Sequence, residues 1–303
     1  MIETIGPEAE AQLDWIGLTE AIRAGHLLPR AEIGDTFLYR DPDTLLSRSA
    51  WIDGLGVAVK SCTILPGNPG HGRPMINGVV TLFDDVTGYP AALVDFHLVT
   101  KWKTAGDSLL AARLLARPDS REILIVGAGT VAGSMVEAYR AAFPQARFRI
   151  WARRMLAAEE LAARVGAEPV ADLAAAVGAS DIIATATMSS DPVIRGEWLR
   201  PGTHLDLIGA YRKDMREVDD AAMARARIFV NSRATTIGHI GELMMPIAAG
   251  VIAEADVIAD YYDIDRGLFH RRSDDEITIA KNGGGAHLDL MTARYILDAV
   301  RAA

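Results

Sequence analysis

Residues 122–143 read EILIVGAGTVAGSMVEAYRAAF, and the fold is decided by this stretch. EILIV is a short apolar strand. Gly127, Gly129 and Ala132 follow it in the order G-x-G-x-x-A, and from Thr130 the spacing of apolar residues is helical. Each small residue has a physical task. Gly127 permits a tight turn, Gly129 lets backbone approach a pyrophosphate, and Ala132 lets the helix lie close on the sheet. The helix N-terminus offers unpaired N–H groups and a positive dipole end to phosphate. A glycine triplet alone also makes plain turns. Here a strand precedes it and a helix and a second strand follow, as a dinucleotide-binding loop requires. Gly127, Gly129, Thr130 and Ala132 are therefore expected to bind the cofactor.

The second strand, RFRIWARR at residues 147–154, ends where the adenosine ribose should lie. NAD enzymes usually keep Asp or Glu there, and an arginine can hold a 2′-phosphate instead. This chain has Ala152, Arg153 and Arg154 and no carboxylate. The pattern favours NADP(H), with NAD(H) possible, and Arg153 and Arg154 as cofactor ligands. The plain alternative is two solvated arginines ahead of a helix.

Outward from the loop the texture stays the same. LAAEELAARV and DLAAAV read as helices, and DIIATAT, THLDLI and RIFVN as strands. Short apolar strands between helices imply a parallel sheet covered on both faces, a doubly wound Rossmann-type α/β domain. KTAGDSLLAARLLAR, at residues 103–117, reads as a helix leading into it. Before that the pattern is different. TFLYR, TLLSRSAWI, LGVAVKSCTIL, GVVTLFD and YPAALVD read as strands separated by turn residues, with DDVTG as a hairpin connection. AHLDLMTARYILDAVRAA at the end is one more helix. A second, α+β domain is expected from the first hundred residues.

Composition narrows the function. The chain has 303 residues, 31 Lys and Arg against 40 Asp and Glu, and a net charge of −9, so an extended nucleic-acid surface is not expected. Cys62 is the only cysteine, which excludes an internal disulfide and fits a reducing compartment. The N-terminus lacks a basic start and apolar run, and the longest uncharged stretch is short and glycine-rich. A cytoplasmic protein with no membrane partner is expected. The seven histidines show no HxH or HExxH spacing, so no metal is expected.

Two cations share strand faces with apolar residues: Lys60 with Ala58, Cys62 and Ile64, and Arg48 with Leu46, Ala50 and Ile52. Charges seldom enter an apolar layer without a partner. Such a pair suggests a pocket for an anion such as a substrate carboxylate, with Lys60 a candidate to exchange protons. The alternative is a half-wet edge strand, or an ion pair with an acid such as Asp53.

Nearly the whole chain resembles the ornithine cyclodeaminase/μ-crystallin family. The matching segments include LPR at residues 28–30, GVAVKSCTILPGNPGHGRPMINGVVTLFDDVTGYPAALVD at 56–95, TKWKTAGDSLLAARLLA at 100–116, GAGTVAG, DIIATAT, PGTHLDLIGAYRKDMREVDD and DEITIAKNGGGAHLDLMTARY. The resemblance implies a homodimer. It also implies a substrate-binding and dimerisation domain from residues 1–103 with 282–303, and a dinucleotide domain over residues 104–281. It implies a carboxylate-binding trio at Arg30, Lys60 and Lys103. Family members commonly carry Arg at the last position, so Lys103 keeps the charge without the planar fork. Thr185 and Thr187 match a strand end near the nicotinamide ribose. Two departures stand out: Tyr211 replaces an Asp, and Leu46 and Arg48 stand near a position where cyclodeaminases carry Glu. Both acids expected to hold a substrate amine are missing. The expectation is a reductase of a small carboxylated imine, of the Δ1-pyrroline-2-carboxylate or Δ1-piperideine-2-carboxylate type, giving L-proline or L-pipecolate. Lys60 would be catalytic, and Arg30, Arg48, Lys60 and Lys103 would bind substrate. An amino-acid dehydrogenase, an ornithine cyclodeaminase, or a nucleotide- or ligand-binding protein with little turnover are the alternatives.

Overall fold

The structure is a computed structural model and describes residues 2–303. The chain begins with β1 (Glu3–Ile5) and α1 (Trp15–Gly25), then forms β2 (Glu32–Arg40), β3 (Asp43–Ile52), β4 (Gly56–Ile64), β5 (Ile76–Phe83) and β6 (Pro90–Asp95). The long helix α2 (Phe96–Leu115) leads to β7 (Glu122–Val126), α3 (Thr130–Ala142), β8 (Arg147–Trp151), α4 (Met155–Val165) and β9 (Glu168–Pro169). Next come α5 (Leu173–Gly178), β10 (Ile182–Thr185), β11 (His204–Leu207), α6 (Asp220–Arg225), β12 (Arg227–Val230), α7 (Arg233–Thr236) and α8 (Gly241–Ala248). The last elements are β13 (Val257–Ala259), β14 (Thr278–Lys281) and α9 (Ala286–Ala302).

Two compact units result: the chain up to Lys103 with Gly285–Ala303, and Thr104–Gly284. In the first, six strands stand in the order β1-β6-β5-β4-β3-β2. Strands β2 to β6 form an antiparallel meander, and β1 joins β6 in parallel. The β5–β6 hairpin is the expected DDVTG turn. The Asp84 carboxylate accepts the backbone N–H of Val86 and Thr87 and the Thr87 hydroxyl. Helix α9 lies on β3 and β4 and meets α1. Ala50, Ile52, Ala58, Val80, Leu82 and Val94 are buried on the sheet, as Leu288 and Met291 are on the helix.

In the second unit all eight strands are parallel, in the order β13-β12-β14-β11-β10-β7-β8-β9. The doubly wound Rossmann-type sheet is as the sequence implies. Ile123, Leu124, Ile125 and Val126 are fully buried, as a sheet covered on both faces demands. Two features differ from the sequence reading. Helix α2 begins at Phe96, seven residues ahead of the KTAGDS segment. Asp95 starts it, because its carboxylate accepts the Leu98 N–H at 2.7 Å. Strand β14, with the sequence TIAK, was not foreseen. The last strand in the chain, it inserts between β11 and β12.

Strand β11 carries a fully buried acid, Asp206. Asp206 accepts the Tyr139 hydroxyl and, at 2.5 Å, the Asn282 side-chain amide. Burial raises the Asp206 carboxyl to about 7; the Tyr139 hydroxyl opposes the shift and nearby Asp107 adds to it. An unfolded Asp titrates near ~4. Between these values the folded chain holds a proton that the unfolded chain releases. Its stabilising contribution is therefore complete below ~4 and is lost as pH rises through about 7. In thermal melts from pH 5 to pH 8, wild type should lose Tm relative to Asp206→Asn as pH rises through about 7. A Tm difference between wild type and Asp206→Asn that stays the same across this range would contradict the assignment.

Candidate functional site

Strand β7 ends at the glycine loop. Gly127 has φ +132°, a region that favours glycine, and its N–H donates to the Trp151 carbonyl at 2.8 Å. A Cβ here would stand 2.7 Å from the Ala186 carbonyl oxygen, where the ends of β7 and β10 meet. Gly129 is different. Its φ of −85° suits any residue, and a Cβ would meet nothing within 4 Å. The space in front of the loop is open. Gly129 also caps α3 without a side chain, so no side chain covers the first N–H groups of that helix.

A cleft of 480 Å³ lies in that space. Gly127, Ala128 and Gly129 line it from the loop, Ala152, Arg153 and Arg154 from the end of β8, and Ala186, Thr187, Met188 and Ser189 from the end of β10. No carboxylate lines it among the described residues, and both arginines are exposed. An open glycine cradle at a helix N-terminus, with two cations at one end, fits a phosphate-bearing dinucleotide. Its place at the β7/β10 junction is the point where strand order reverses, between β8 on one side and β10 on the other. Thr130 is the exposed first residue of α3, and Ala132 is fully buried beneath it. Thr185 is buried, its hydroxyl directed to the Asp206 carbonyl at 3.4 Å, and it does not line the cleft. Thr187 does.

In the first unit, one row crosses the sheet. Asp35 on β2 is the register partner of Arg48 on β3, and Arg48 that of Lys60 on β4. The Arg48 guanidinium donates through Nε at 3.1 Å and Nη2 at 2.5 Å to Asp35. The acid that meets Arg48 is this cross-strand neighbour and not Asp53. Lys60 is only 7% exposed, and its Nζ stands 2.8 Å from Oδ1 and 2.7 Å from Oδ2 of Asp289 on α9. The same ammonium lies 5.8 Å from the centre of the Phe96 ring.

Further charges gather nearby. His26 and His287 are buried with rings 5.4 Å apart, edge to face. Burial lowers His26 to about 4, opposed by its bond to the Ile22 carbonyl and helped by Arg30. Burial holds His287 well below its ordinary value, with His26, Lys103 and Arg48 adding to the effect. Arg30, Arg48 and Lys103 are thus close enough to bias two neutral imidazoles. Arg30 is exposed and Lys103 half-buried. Burial also raises the Cys62 thiol, as suits a filler rather than a nucleophile. Tyr211 is 57% exposed beyond β11, under the Arg212 guanidinium.

Two acids escaped the sequence reading. Asp289 sits inside the apolar run AHLDLM, and an acid on the buried side of a helix was the signal for it. Glu217 sits in MREVDD among other charges, where nothing in the sequence marks it as buried. Among the described residues, no group of His, Cys, Asp and Glu is arranged to hold a metal, and no helix is long and apolar enough to cross a membrane.

Residues 52–303 match the profile of the Ornithine cyclodeaminase/mu-crystallin family. The chain is 55% identical over 296 residues to the Delta(1)-pyrroline-2-carboxylate reductase of Paracoccus denitrificans, covering 95% of this chain and 94% of that one. Among solved structures it is similar to the Delta(1)-pyrroline-2-carboxylate reductase of Thermococcus litoralis in complex with NADH and L-proline. The TM-score there is 0.88 at 26% identity, over 99% of this chain and 98% of that one. An archaeal alanine dehydrogenase dimer with bound NAD gives a TM-score of 0.88 at 27% identity, over 99% and 96% of the two chains.

The two loop glycines should respond differently to substitution. Gly127→Ala forces a side chain into positive φ and against a carbonyl, and should lower Tm by several degrees. Gly129→Ala should leave Tm unchanged yet weaken dinucleotide binding in a fluorescence titration. Unweakened binding by Gly129→Ala would mean that the ligand does not approach this loop.

Proposed function

The chain belongs to the ornithine cyclodeaminase/mu-crystallin family, and from that premise we propose an NADP(H)-dependent reductase of a small carboxylated imine, of the Δ1-pyrroline-2-carboxylate or Δ1-piperideine-2-carboxylate type. The products would be L-proline and L-pipecolate. The observation that carries this reading is Lys60, an ammonium buried in an apolar layer and held by Asp289. With Arg30 and Lys103 it makes a local cationic face on a chain of net charge −9, suited to a carboxylate. The reductase names of two relatives support the substrate class.

When bound, the nicotinamide supplies a hydride to the imine carbon. The protein supplies the rest. Lys60 and its cationic neighbours clamp the carboxylate, which fixes the C=N bond in one orientation and removes much of the entropic barrier. Lys60 Nζ carries protons and is the candidate donor to the imine nitrogen. Asp289, 2.7 Å away, keeps that ammonium in one place. Arg48 has two of its donors on Asp35, so its part is to add positive charge beside Lys60, its register partner. Arg153 and Arg154 would take the 2′-phosphate, and Thr187 the nicotinamide half.

The reading extends to assembly. Strand β2 is exposed along its whole length and carries Ile33, Phe37, Leu38 and Tyr39, an apolar edge of the kind that proteins cover. A second copy covering it gives a homodimer. The single, buried cysteine suits the cytoplasm.

An assay with both reduced cofactors, a panel of cyclic imino acids, and L-ornithine with oxidised cofactor tests the reaction. Imine-dependent loss of NADPH is expected, with no ammonia from ornithine. Lys60→Ala should remove most turnover and leave NADPH affinity nearly intact, a loss on the order of 2–5 kcal/mol in transition-state binding. Ammonia and proline released from ornithine at ordinary enzymatic rates would overturn the reading, and so would a Lys60→Ala variant within a few-fold of wild type.

Cofactor choice has its own test. Arg153→Ala should raise the KM for NADPH far more than that for NADH. Equal effects on both cofactors would remove Arg153 as the reader of the 2′-phosphate.

A further inference from the structure

Glu217 has no part in the chemistry described so far, yet it is fully buried and accepts four hydrogen bonds. Its Oε1 takes the backbone N–H of Thr187 at 2.8 Å and the Thr187 hydroxyl at 2.6 Å. Its Oε2 takes the N–H of Gly209 at 2.8 Å and of Ala210 at 3.2 Å. Three backbone N–H groups and one hydroxyl converge on two oxygens, a donor set that suits a carboxylate better than an amide, which would bring N–H groups of its own. One side chain thus ties the segment after β10 to the segment after β11.

The surroundings hold this carboxylate in place. Glu242 accepts the backbone N–H of Glu217 at 2.8 Å and of Val218 at 3.1 Å. Burial raises Glu242, as does the neighbouring Glu217, while Lys281 opposes the shift. Lys281 donates to the carbonyls of Leu207 at 2.9 Å and Ala210 at 2.7 Å, gripping by its carbonyls the segment after β11 that Glu217 grips by its N–H groups. Gly209 leaves room for no side chain: a Cβ would lie 2.0 Å from the Thr187 carbonyl oxygen.

A consequence follows for Thr187, which lines the cleft. Its hydroxyl has one proton, and that proton is committed to Glu217. Any further partner of Thr187 Oγ1 must therefore be a donor. A phosphate oxygen is only an acceptor and is refused, whereas a ribose hydroxyl or a carboxamide NH₂ is accepted. With the arginines at the β8 side of the switch point, the β10 side receives the other half of the dinucleotide. We propose that Glu217 is a positioning residue that sets the polarity of Thr187, making the β10 end of the cleft a receptor for hydrogen-bond donors on the nicotinamide half. This rests on the dinucleotide reading of the cleft and adds which end takes which chemistry.

The test compares whole cofactor with its adenosine half. Wild type is titrated with NADPH and NADH. The variants are then titrated with whichever binds more tightly and with the matching fragment, adenosine 2′,5′-bisphosphate or AMP. Glu217→Gln should weaken the whole cofactor about tenfold or more, the loss of a charge-assisted bond, and leave the fragment unchanged. Thr187→Val should do the same, and the double variant should lose no more than Glu217→Gln alone. A merely structural Glu217 would weaken cofactor and fragment together, and that result would overturn the proposal, as would no loss at all. Should Glu217→Gln fail to fold, Glu217→Asp keeps the charge, shortens the reach and is expected to show the same selective loss. Wild type that binds neither NADPH nor NADH would overturn the cofactor reading itself, a different outcome from variants that bind as wild type does.

Discussion

Parallel strands that end together leave backbone N–H groups with no strand to pair them, and the nucleotide unit depends on how those groups are satisfied. At the ends of β7, β10 and β11 the structure uses two solutions. The N–H groups of Thr187, Gly209 and Ala210 are taken by the Glu217 carboxylate, out of water and permanently. Those at the start of α3 are left without a side-chain cap, behind a glycine with open space before it. An internal anion closes one part of the switch point, and an external anion is invited to the other. Buried donors require acceptors, so the difference between floor and binding site reduces to which acceptor is covalently part of the chain.

The sheet unit obeys the same rule with the signs reversed. Arg48 and Lys60 are forced into one row by the register of β3 with β4, and each has found its own carboxylate, Asp35 across the sheet and Asp289 from α9. Removing one member of such a buried pair costs far more than the pair contributes, because the survivor is left charged without a partner. This explains why Lys60 can sit 7% exposed among Ala58, Cys62 and the Phe96 ring without unfolding its neighbourhood. It also leaves the ammonium with a donor to spare, since three N–H groups are not exhausted by one partner.

Hydrogen-bonded acids recur through both units, and they do not all serve one purpose. Asp206, with Tyr139 and Asn282, locks α3 and the segment after β14 to β11 and carries a raised carboxyl that makes the fold sensitive to rising pH. Asp289 holds the buried Lys60 ammonium. Glu217 holds backbone and a threonine hydroxyl. What separates them is the identity of the donor: a neutral hydroxyl and amide for Asp206, an ammonium for Asp289, main-chain N–H groups and a hydroxyl for Glu217.

Local patterns in the chain already determined a good deal. The strand, glycine loop and helix over residues 122–143 dictated a dinucleotide fold, because turn geometry and close helix packing each demand a small residue at a set position. The run of hairpin strands before Phe96 follows from alternation and from turn residues such as those in DDVTG. Arg153 and Arg154, and the missing acid beside them, were equally legible, since a strand end is a local feature. Only the tertiary structure decided the rest. Strand β14 is the last strand in the sequence yet lies between β11 and β12, and its four residues carry no local mark of a central position. Asp289 and Glu217 are ordinary acids until folding sets them against Lys60 and Thr187, 229 and 30 residues away by sequence number. Spacing in sequence reports neighbours along an element, whereas the partner of a buried charge is chosen by where distant elements meet.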